Sequence, residues 1–369
     1  MTERETVVVG GGAMGSATAW HLARRGREVT LLEQYGERHT MGASHGRARN
    51  FNVGYDDPTY QAMVQEAAVL WRELEDESGA TLLDLVGQTN HGAGVAPDAD
   101  LALSALGVQA ELIPVEAARE RWPGIRFDTR VLHLPEGGRV YAEEAVITLQ
   151  RRASAHGAEV LLNTPAEGIW VRGDGKVEVA TADTTYVADT VVVTAGAWTE
   201  KLLGGRVALP RLVVTQEQPA HFAVAQPDAA WPCWNHLPAE NNPRYGHWYS
   251  LVYGMLTPGE GVKAGWHGVG AVTDPDRRSF EPEPVQLAAL QQYARDWLPG
   301  VDPDSCAPIS CTYTSTRDEN FVLDRAGPIV VGAGFSGHGF KFVPTVGRIL
   351  ADLVEGTGSA DDMFRLERG

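Results

Sequence analysis

Val7-Val8-Val9-Gly10-Gly11-Gly12-Ala13-Met14-Gly15 decides how this chain is read. A short β-branched run of this kind predicts a parallel strand buried on both faces. The glycines that follow fit G-x-G-x-x-G through Gly10, Gly12 and Gly15. Working outward, residues 16–25 predict a helix stopped by Gly26. Residues 28–32 predict a second strand ending in Glu33, which lies 23 residues after Gly10. Gly10 permits the tight turn, Gly12 lets a pyrophosphate approach the backbone, and Gly15 lets the helix pack close to the strand. The helix N-terminus offers free N–H groups and partial positive charge to phosphates. Glu33 is placed to accept hydrogen bonds from a ribose hydroxyl. The unit predicts dinucleotide binding and leaves FAD and NAD both open.

The rest of the composition narrows the class. A chain of 369 residues suggests two domains, or three, at about 150 residues each. With 43% hydrophobic and 21% charged residues it can bury a full core, which excludes disorder, collagen and coiled coil. The net charge of −17 makes nucleic acid and anionic membrane surfaces poor partners. Three cysteines, Cys233, Cys306 and Cys311, cannot build a disulfide framework and suggest a reducing compartment. No apolar run is long enough to span a bilayer, and the N-terminus enters its first strand without a targeting signal. We therefore expect a cytoplasmic protein. The histidines show no metal-ligand spacing, so no metal is expected.

Two further segments hold chemistry-bearing residues. His39-Thr40-Met41-Gly42-Ala43-Ser44-His45-Gly46-Arg47-Ala48-Arg49 reads as a polar loop, with neither helix nor strand period. A basic loop in an acidic protein, just after a nucleotide unit, suits phosphates or a cofactor ring; a solvated surface loop is the plain alternative. Near the C-terminus, Ile329-Val330-Val331 predicts a strand, followed by Gly332-Ala333-Gly334-Phe335-Ser336-Gly337-His338-Gly339-Phe340-Lys341 and a helix over 346–355. Glycines 332, 334, 337 and 339 are expected to bring backbone close to something flat or charged. The helix dipole there could steady negative charge on a reduced ring.

In the same region the sequence reads Cys-x-Tyr-Thr-x-Thr-x-Asp-Glu-x-Phe from Cys311. With Gly-x-Gly-Phe-Ser-Gly-His-Gly-Phe-Lys, the His39–Arg49 loop and Val191-Val192-Val193-Thr194-Ala195-Gly196-Ala197-Trp198, it resembles the monomeric sarcosine oxidase and N-methyltryptophan oxidase family of flavoenzymes. The resemblance covers Val7 to about Leu353. It implies FAD as cofactor, joined by a thioether from Cys311 to the 8-methyl group of the isoalloxazine. Ser44, His45 and Arg49, with Ala195, Gly196 and Trp198, and with Gly337, His338, Gly339 and Lys341, would then surround the cofactor. It implies an oxygen-activating lysine at Lys263, in Gly261-Val262-Lys263-Ala264-Gly265-Trp266-His267. His267 and Tyr253 match substrate-pocket positions, with Tyr249 an alternative to Tyr253, and Lys341 matches the lysine that holds the substrate carboxylate. Alternation puts Lys263, Gly265 and His267 on one face of a strand.

One departure bears on the substrate. Sarcosine oxidases carry an arginine three residues after the one matched by Arg49, and here that position is Asn52. A cationic fork has become a neutral amide, which costs a carboxylate that relied on it about 1.5–3 kcal/mol. The segment from Pro232 to Tyr249 is rich in amides, histidines and aromatics, as a polyhydroxylated substrate would need, although an aromatic sheet face would look similar. Bacterial fructosyl-amino-acid (Amadori) oxidases, of the same broad family, suit this pattern. The expected reaction is oxidation of a secondary amine in an N-substituted amino acid to an imine, with hydrogen peroxide formed from oxygen. Fructosyl amino acids lead, and sarcosine or another N-methyl amino acid is the alternative. The expected fold is α/β (α+β overall). A Rossmann-like FAD-binding domain (1–85, 139–205 and 305–369) would carry a second domain on a mainly antiparallel sheet (86–138 and 206–304). Helices are expected there over Val115–Arg121 and Pro284–Trp297. The expected partners are a small N-substituted amino acid and oxygen, and the chain is expected to be a monomer.

Overall fold

A computed structural model of the chain describes residues 1–226, 228–238, 245–359 and 361–368. Among these residues, the strand Thr2–Val9 lies inside an eight-stranded sheet. Its parallel part runs Glu159–Leu161, Val29–Leu32, Thr2–Val9, Thr185–Val193, Ile329–Ala333. The long strand Thr185–Val193 is shared along one edge. Its first half pairs antiparallel with Val177–Ala180 and its second half parallel with Ile329–Ala333. Val7 and Val9 enter one core and Val8 the other; Val191 and Val193 against Val192, and Ile329 and Val331 against Val330, divide the same way. Covered faces on both sides explain why the apolar run is continuous. Helices Ala13–Arg24, Pro58–Ser78, Ala142–Ala155 and Val343–Glu355 supply the core that receives Val8.

A second eight-stranded sheet runs Val301–Pro308, Ala220–Val224, Gly261–Trp266, Val252–Thr257, Cys233–His236, Gln88–His91, Val131–Leu134, Glu111–Ile113. Its neighbours are antiparallel except for Cys233–His236 with Gln88–His91. Behind it lies the helix Pro284–Trp297, capped by Glu283. Leu290, Tyr293, Ala294 and Trp297, at helical spacing, enter a core with Phe222, Trp234, Val262 and Trp266. Two three-stranded sheets connect the layers. Ala48–Phe51 pairs with Gly138–Tyr141, and Cys311–Ser315 pairs with Val213–Glu217. No helix among the described residues is long and apolar enough to cross a membrane.

Helices form at Val115–Arg121 and Pro284–Trp297 as expected, while three local expectations shift. The first helix starts at Ala13, whose N–H finds a partner in Ser44, 31 residues away. The last helix starts at Val343, since Pro344 sits in its first turn, where no N–H is needed. Ala48 and Arg49 belong to a strand and not to a polar loop. The pairing of Arg49 with Val140 comes from a segment too distant for local period to reveal.

Candidate active site

The glycine turn is shaped by close approach. Gly10 has φ 101°, and a Cβ there would lie 2.6 Å from the Thr194 carbonyl oxygen. A Cβ on Gly15 would lie 2.0 Å from the Gly10 oxygen and 2.5 Å from Thr194 Oγ1. Glu33 accepts from the N–H groups of Gly11 (2.8 Å) and Tyr35 (2.9 Å), so it braces the turn as well as facing the cleft beside it. Ser44 Oγ accepts from Ala13 N–H at 3.0 Å and so caps the first helix. Gly10, Gly12, Glu33, Ser44, Ala195, Gly196 and Trp198 line one cleft of about 270 Å³. Trp198 donates to Asp276 at 2.6 Å at its rim.

A larger cavity, about 590 Å³, lies against the second large sheet, whose Asn90, Asn235, Tyr253 and Lys263 line it. It gathers His45, Arg49, Asn52, Tyr253, Lys263, His267, Cys311, Gly337, His338 and Lys341 from the expected set. Gly15 and Gly339 line neither space: Gly15 serves helix packing, and Gly339 makes room for the Phe335 side chain, whose Cβ would lie 2.7 Å from a Cβ there. Tyr253 lies across the hairpin from Gly265 and faces the cavity, whereas Tyr249 is exposed.

Lys263 is buried and donates from Nζ to the Ala48 carbonyl at 2.6 Å. Burial first, then the neighbouring Arg49, pulls it down to about 7. Lys341 is buried on the facing wall, donating to the His338 carbonyl (2.6 Å) and the Tyr55 hydroxyl (3.0 Å). Burial alone pulls it to about 7. Arg49 donates to the carbonyls of Ala43 (2.9 Å) and Ala48 (3.0 Å), and its guanidinium stands 3.9 Å from Cys311 Sγ. Burial and then Arg49 hold His45 down to about 3, so its ring is neutral at pH 7. Burial likewise lowers His267, whose Nδ1 meets the Tyr313 hydroxyl at 3.3 Å.

The glycine loop near the C-terminus departs from its expected role. The atoms nearest a Cβ on Gly332 and Gly334 would be Leu350 Cδ1 (2.8 Å) and Thr316 Cγ2 (2.6 Å), so both relieve side-chain packing. Gly337 does meet a flat group: a Cβ there would lie 2.1 Å from Cε2 of the Tyr313 ring. Within the amide-rich segment, Trp234, Tyr245 and Trp248 pack into or against the core behind the second sheet, and His236 meets the Tyr245 and Trp248 rings edge-on. Asn235 instead faces the cavity, and residues 239–244 lie outside the described residues. Tyr55, Asn50, Asn90 and Tyr313 also line the cavity and were not anticipated. For Tyr313 a signal existed, since it stands two residues after Cys311 on one strand and so shares its face. Cys233 is buried, with its thiol pushed up to about 12, and Cys306 is half-buried.

A flavin dinucleotide suits these donors. The cradle at Gly10, Gly12 and the capped helix start is shaped for a pyrophosphate. His45 Nε2 and Asn50 Oδ1 in the cavity wall are buried with no hydrogen-bond partner among the described residues. They are groups that a polar ring would satisfy. No group of three or more metal-ligating side chains occurs among the described residues.

Comparison with known proteins agrees. The sequence profile of the family described as FAD dependent oxidoreductase matches residues 5–353. The chain is similar to peroxisomal sarcosine oxidase of Mus musculus, at 33% identity over 99% of this chain and 96% of that protein. It is similar to monomeric sarcosine oxidase of Bacillus sp. (strain NS-129), at 31% identity over 100% and 97%. Its fold matches the open form of NikD, an unusual amino acid oxidase essential for nikkomycin biosynthesis, with TM-score 0.88 and 27% identity over 100% and 98% of the two chains. With the profile spanning nearly the whole sequence, the chain belongs to the FAD dependent oxidoreductase family.

Proposed function

We propose that the protein oxidises the C–N bond of a secondary amine in an N-substituted amino acid, with fructosyl (Amadori) amino acids as lead substrates. The supporting observation is the lining of one cavity: Lys341 shares it with Asn50, Asn52, Asn90 and Asn235. Asn90 Oδ1 accepts from Asn235 Nδ2 (3.0 Å) and Gln88 Nε2 (2.9 Å), so the Asn90 amino group and the Asn235 carbonyl are the ends outside that chain. Asn52 Oδ1 accepts from Gly54 N–H at 3.0 Å, which turns attention to its amino group. Donors and acceptors of this neutral kind suit hydroxyl groups.

FAD, held at the Gly10–Gly12 turn, Glu33 and Ser44, would supply an acceptor for the hydride equivalent on the carbon attached to nitrogen and a route for both electrons to oxygen. The chain supplies the setting. Lys341, steadied by Tyr55 and the His338 carbonyl, holds the substrate carboxylate through a charge-assisted bond. Burial keeps His267 neutral, and the Tyr313 hydroxyl fixes its ring beside the amine. Lys263 carries positive charge to the place where negative charge develops on oxygen. Cys311, at the cavity wall beside Arg49, is the residue we assign to covalent attachment. Activity in the cytoplasm as a monomer completes the proposal.

A second reading, sarcosine or another N-methyl amino acid, draws support from the names of the relatives. Anaerobic bleaching of the flavin's visible absorbance tests both, with fructosyl-valine, fructosyl-glycine, sarcosine and N-methyltryptophan added in turn. Bleaching by the fructosyl compounds is the expected result. Bleaching by sarcosine alone would mean that Lys341 holds a small carboxylate unaided. Absorbance that stays with acid-precipitated protein would support the Cys311 linkage.

A further inference from the structure

Lys263 has two ionisable neighbours that the cavity does not contain. Its strand, Gly261–Trp266, pairs antiparallel with Ala220–Val224, and His221 stands directly opposite Lys263. Directly opposed side chains project to the same face. At the end of the hairpin, Gly261 has φ 94°, and a Cβ there would lie 2.3 Å from the Phe222 carbonyl oxygen. Only glycine lets this turn press against the neighbouring strand. The turn thereby brings Glu260 to 3.5 Å from His221 Nε2 and 3.2 Å from Arg47 Nε.

Exposure climbs along this row. Lys263 is 4% exposed, and the side chains of His221, Glu260 and Arg47 are 12%, 33% and 58% exposed. On its other side Lys263 has an apolar neighbour. Met255 faces it from the other neighbouring strand and packs with Ala48 and Cys233 in a small apolar cluster. Among the described residues, His221 and Glu260 form a polar row from Lys263 toward the surface that lies outside the cavity lining.

We propose that His221 and Glu260 carry protons between solvent and Lys263 during the oxygen half of the reaction; this rests on the role given to Lys263 above. The balance over one turnover is simple. The amine gives up two electrons and two protons, and one oxygen molecule takes both pairs to become hydrogen peroxide. When Lys263 supplies a proton, an N–H bond at Nζ breaks and an O–H bond forms, leaving a neutral amine. That amine must regain a proton before the next turnover. The His221 imidazole can accept a proton at one nitrogen and release one from the other, and Glu260 exchanges with water at the surface. Burial, then Lys263 and Arg49, pull His221 down to about 4, so it passes protons as a neutral ring. The charged and titratable groups acting on Lys263 are Arg49, which opposes its charge, and Cys311, Glu260 and Cys233, which favour it.

The test uses the FAD-loaded protein with His221→Phe and Glu260→Gln. Reoxidation by oxygen at pH 8–9 should slow about tenfold in His221→Phe and about threefold in Glu260→Gln, and free imidazole in the buffer should restore the former. Anaerobic bleaching by substrate should stay within twofold of the parent. A second readout needs no substrate: after a pH jump, the visible-absorbance change that Lys263→Met abolishes should relax about tenfold more slowly in His221→Phe. Parent-like reoxidation and relaxation in both variants would overturn the relay while leaving Lys263's role intact. Parent-like reoxidation in Lys263→Met would overturn both. Should His221→Phe fail to fold, Glu260→Gln, at the half-exposed end of the row, decides by the same two measurements.

Discussion

Lys263 and Lys341 look into the same cavity from walls of different construction. Lys263 stands inside a strand, with a backbone carbonyl as its hydrogen-bond partner and a guanidinium among the charges that act on it. Lys341 stands on the single turn Phe340–Phe342 that joins the glycine loop to the last helix. Its partners are a carbonyl and a phenolic hydroxyl, and its Nζ lies 5.5 Å from the Tyr55 ring centre and 5.3 Å from that of Phe342. Burial brings both ammonium groups to the edge of ionisation near pH 7. The neighbours then separate them. Repulsion from Arg49 readies Lys263 to change charge, whereas a hydroxyl and two aromatic faces help Lys341 keep it.

The strongest way to break this contrast is Lys263→Met. Removing a preorganised charge from a buried site should slow reoxidation by oxygen roughly 10²–10³-fold, while anaerobic bleaching changes only a few-fold. Equal losses in both halves would erase the distinction. Lys341→Met should instead weaken substrate binding by about 1.5–3 kcal/mol, on the order of 10- to 150-fold in Kd, with oxygen reactivity kept. The pH dependence has a definite sign. Lys341 is lowered to about 7, so the free protein loses its ammonium above that pH and holds a carboxylate less well. KM measured from pH 6 to 9 should rise through the upper half of the range, and the rise should be absent in Lys341→Met.

Legibility divides along a related line. The nucleotide unit could be read because its determinants are local: Gly10 and Gly15 touch each other, and Glu33 reaches Gly11, all within one strand–helix–strand span. The cavity is assembled from segments hundreds of residues apart, and a single sequence shows such pairs only through resemblance. Tyr55 meets Lys341, and Asn90 meets Asn235 because Gln88–His91 and Cys233–His236 lie side by side. Alternation explains why the amide-rich segment serves two purposes, with Trp234 in the core and Asn235 in the cavity. Glycine was the least reliable guide. Gly332 and Gly334 relieve Leu350 and Thr316, contacts that no spacing rule encodes.

A smaller effect is expected where the carboxylate end meets the amide end. Asn52→Arg puts a cation where a neutral amide stands in the cavity wall, and it also frees the Gly54 N–H that Asn52 Oδ1 now satisfies. One neutral hydrogen bond gained or lost is worth about 1 kcal/mol. The ratio of fructosyl-valine to sarcosine turnover, as kcat/KM, should therefore fall roughly tenfold or less. An unchanged ratio would remove Asn52 from substrate choice and weaken the fructosyl reading.

The smallest change isolates what distinguishes the two lysines. Tyr55→Phe deletes the hydroxyl 3.0 Å from Lys341 Nζ and keeps the ring that faces the ammonium. Lys263 allows no matching experiment, since its partner is the Ala48 backbone carbonyl. Burial pushes the Tyr55 hydroxyl far above the usual phenol range, so it stays protonated and can accept from the ammonium at any working pH. Losing that acceptor removes support from the charged form alone. The pH at which KM begins to rise should move down, and KM at pH 7 should increase about threefold, with reoxidation by oxygen untouched. A KM profile that kept its position would mean that the His338 carbonyl and the two rings hold the charge by themselves. The contrast between the walls would then rest on Arg49 beside Lys263 and owe nothing to the hydroxyl beside Lys341.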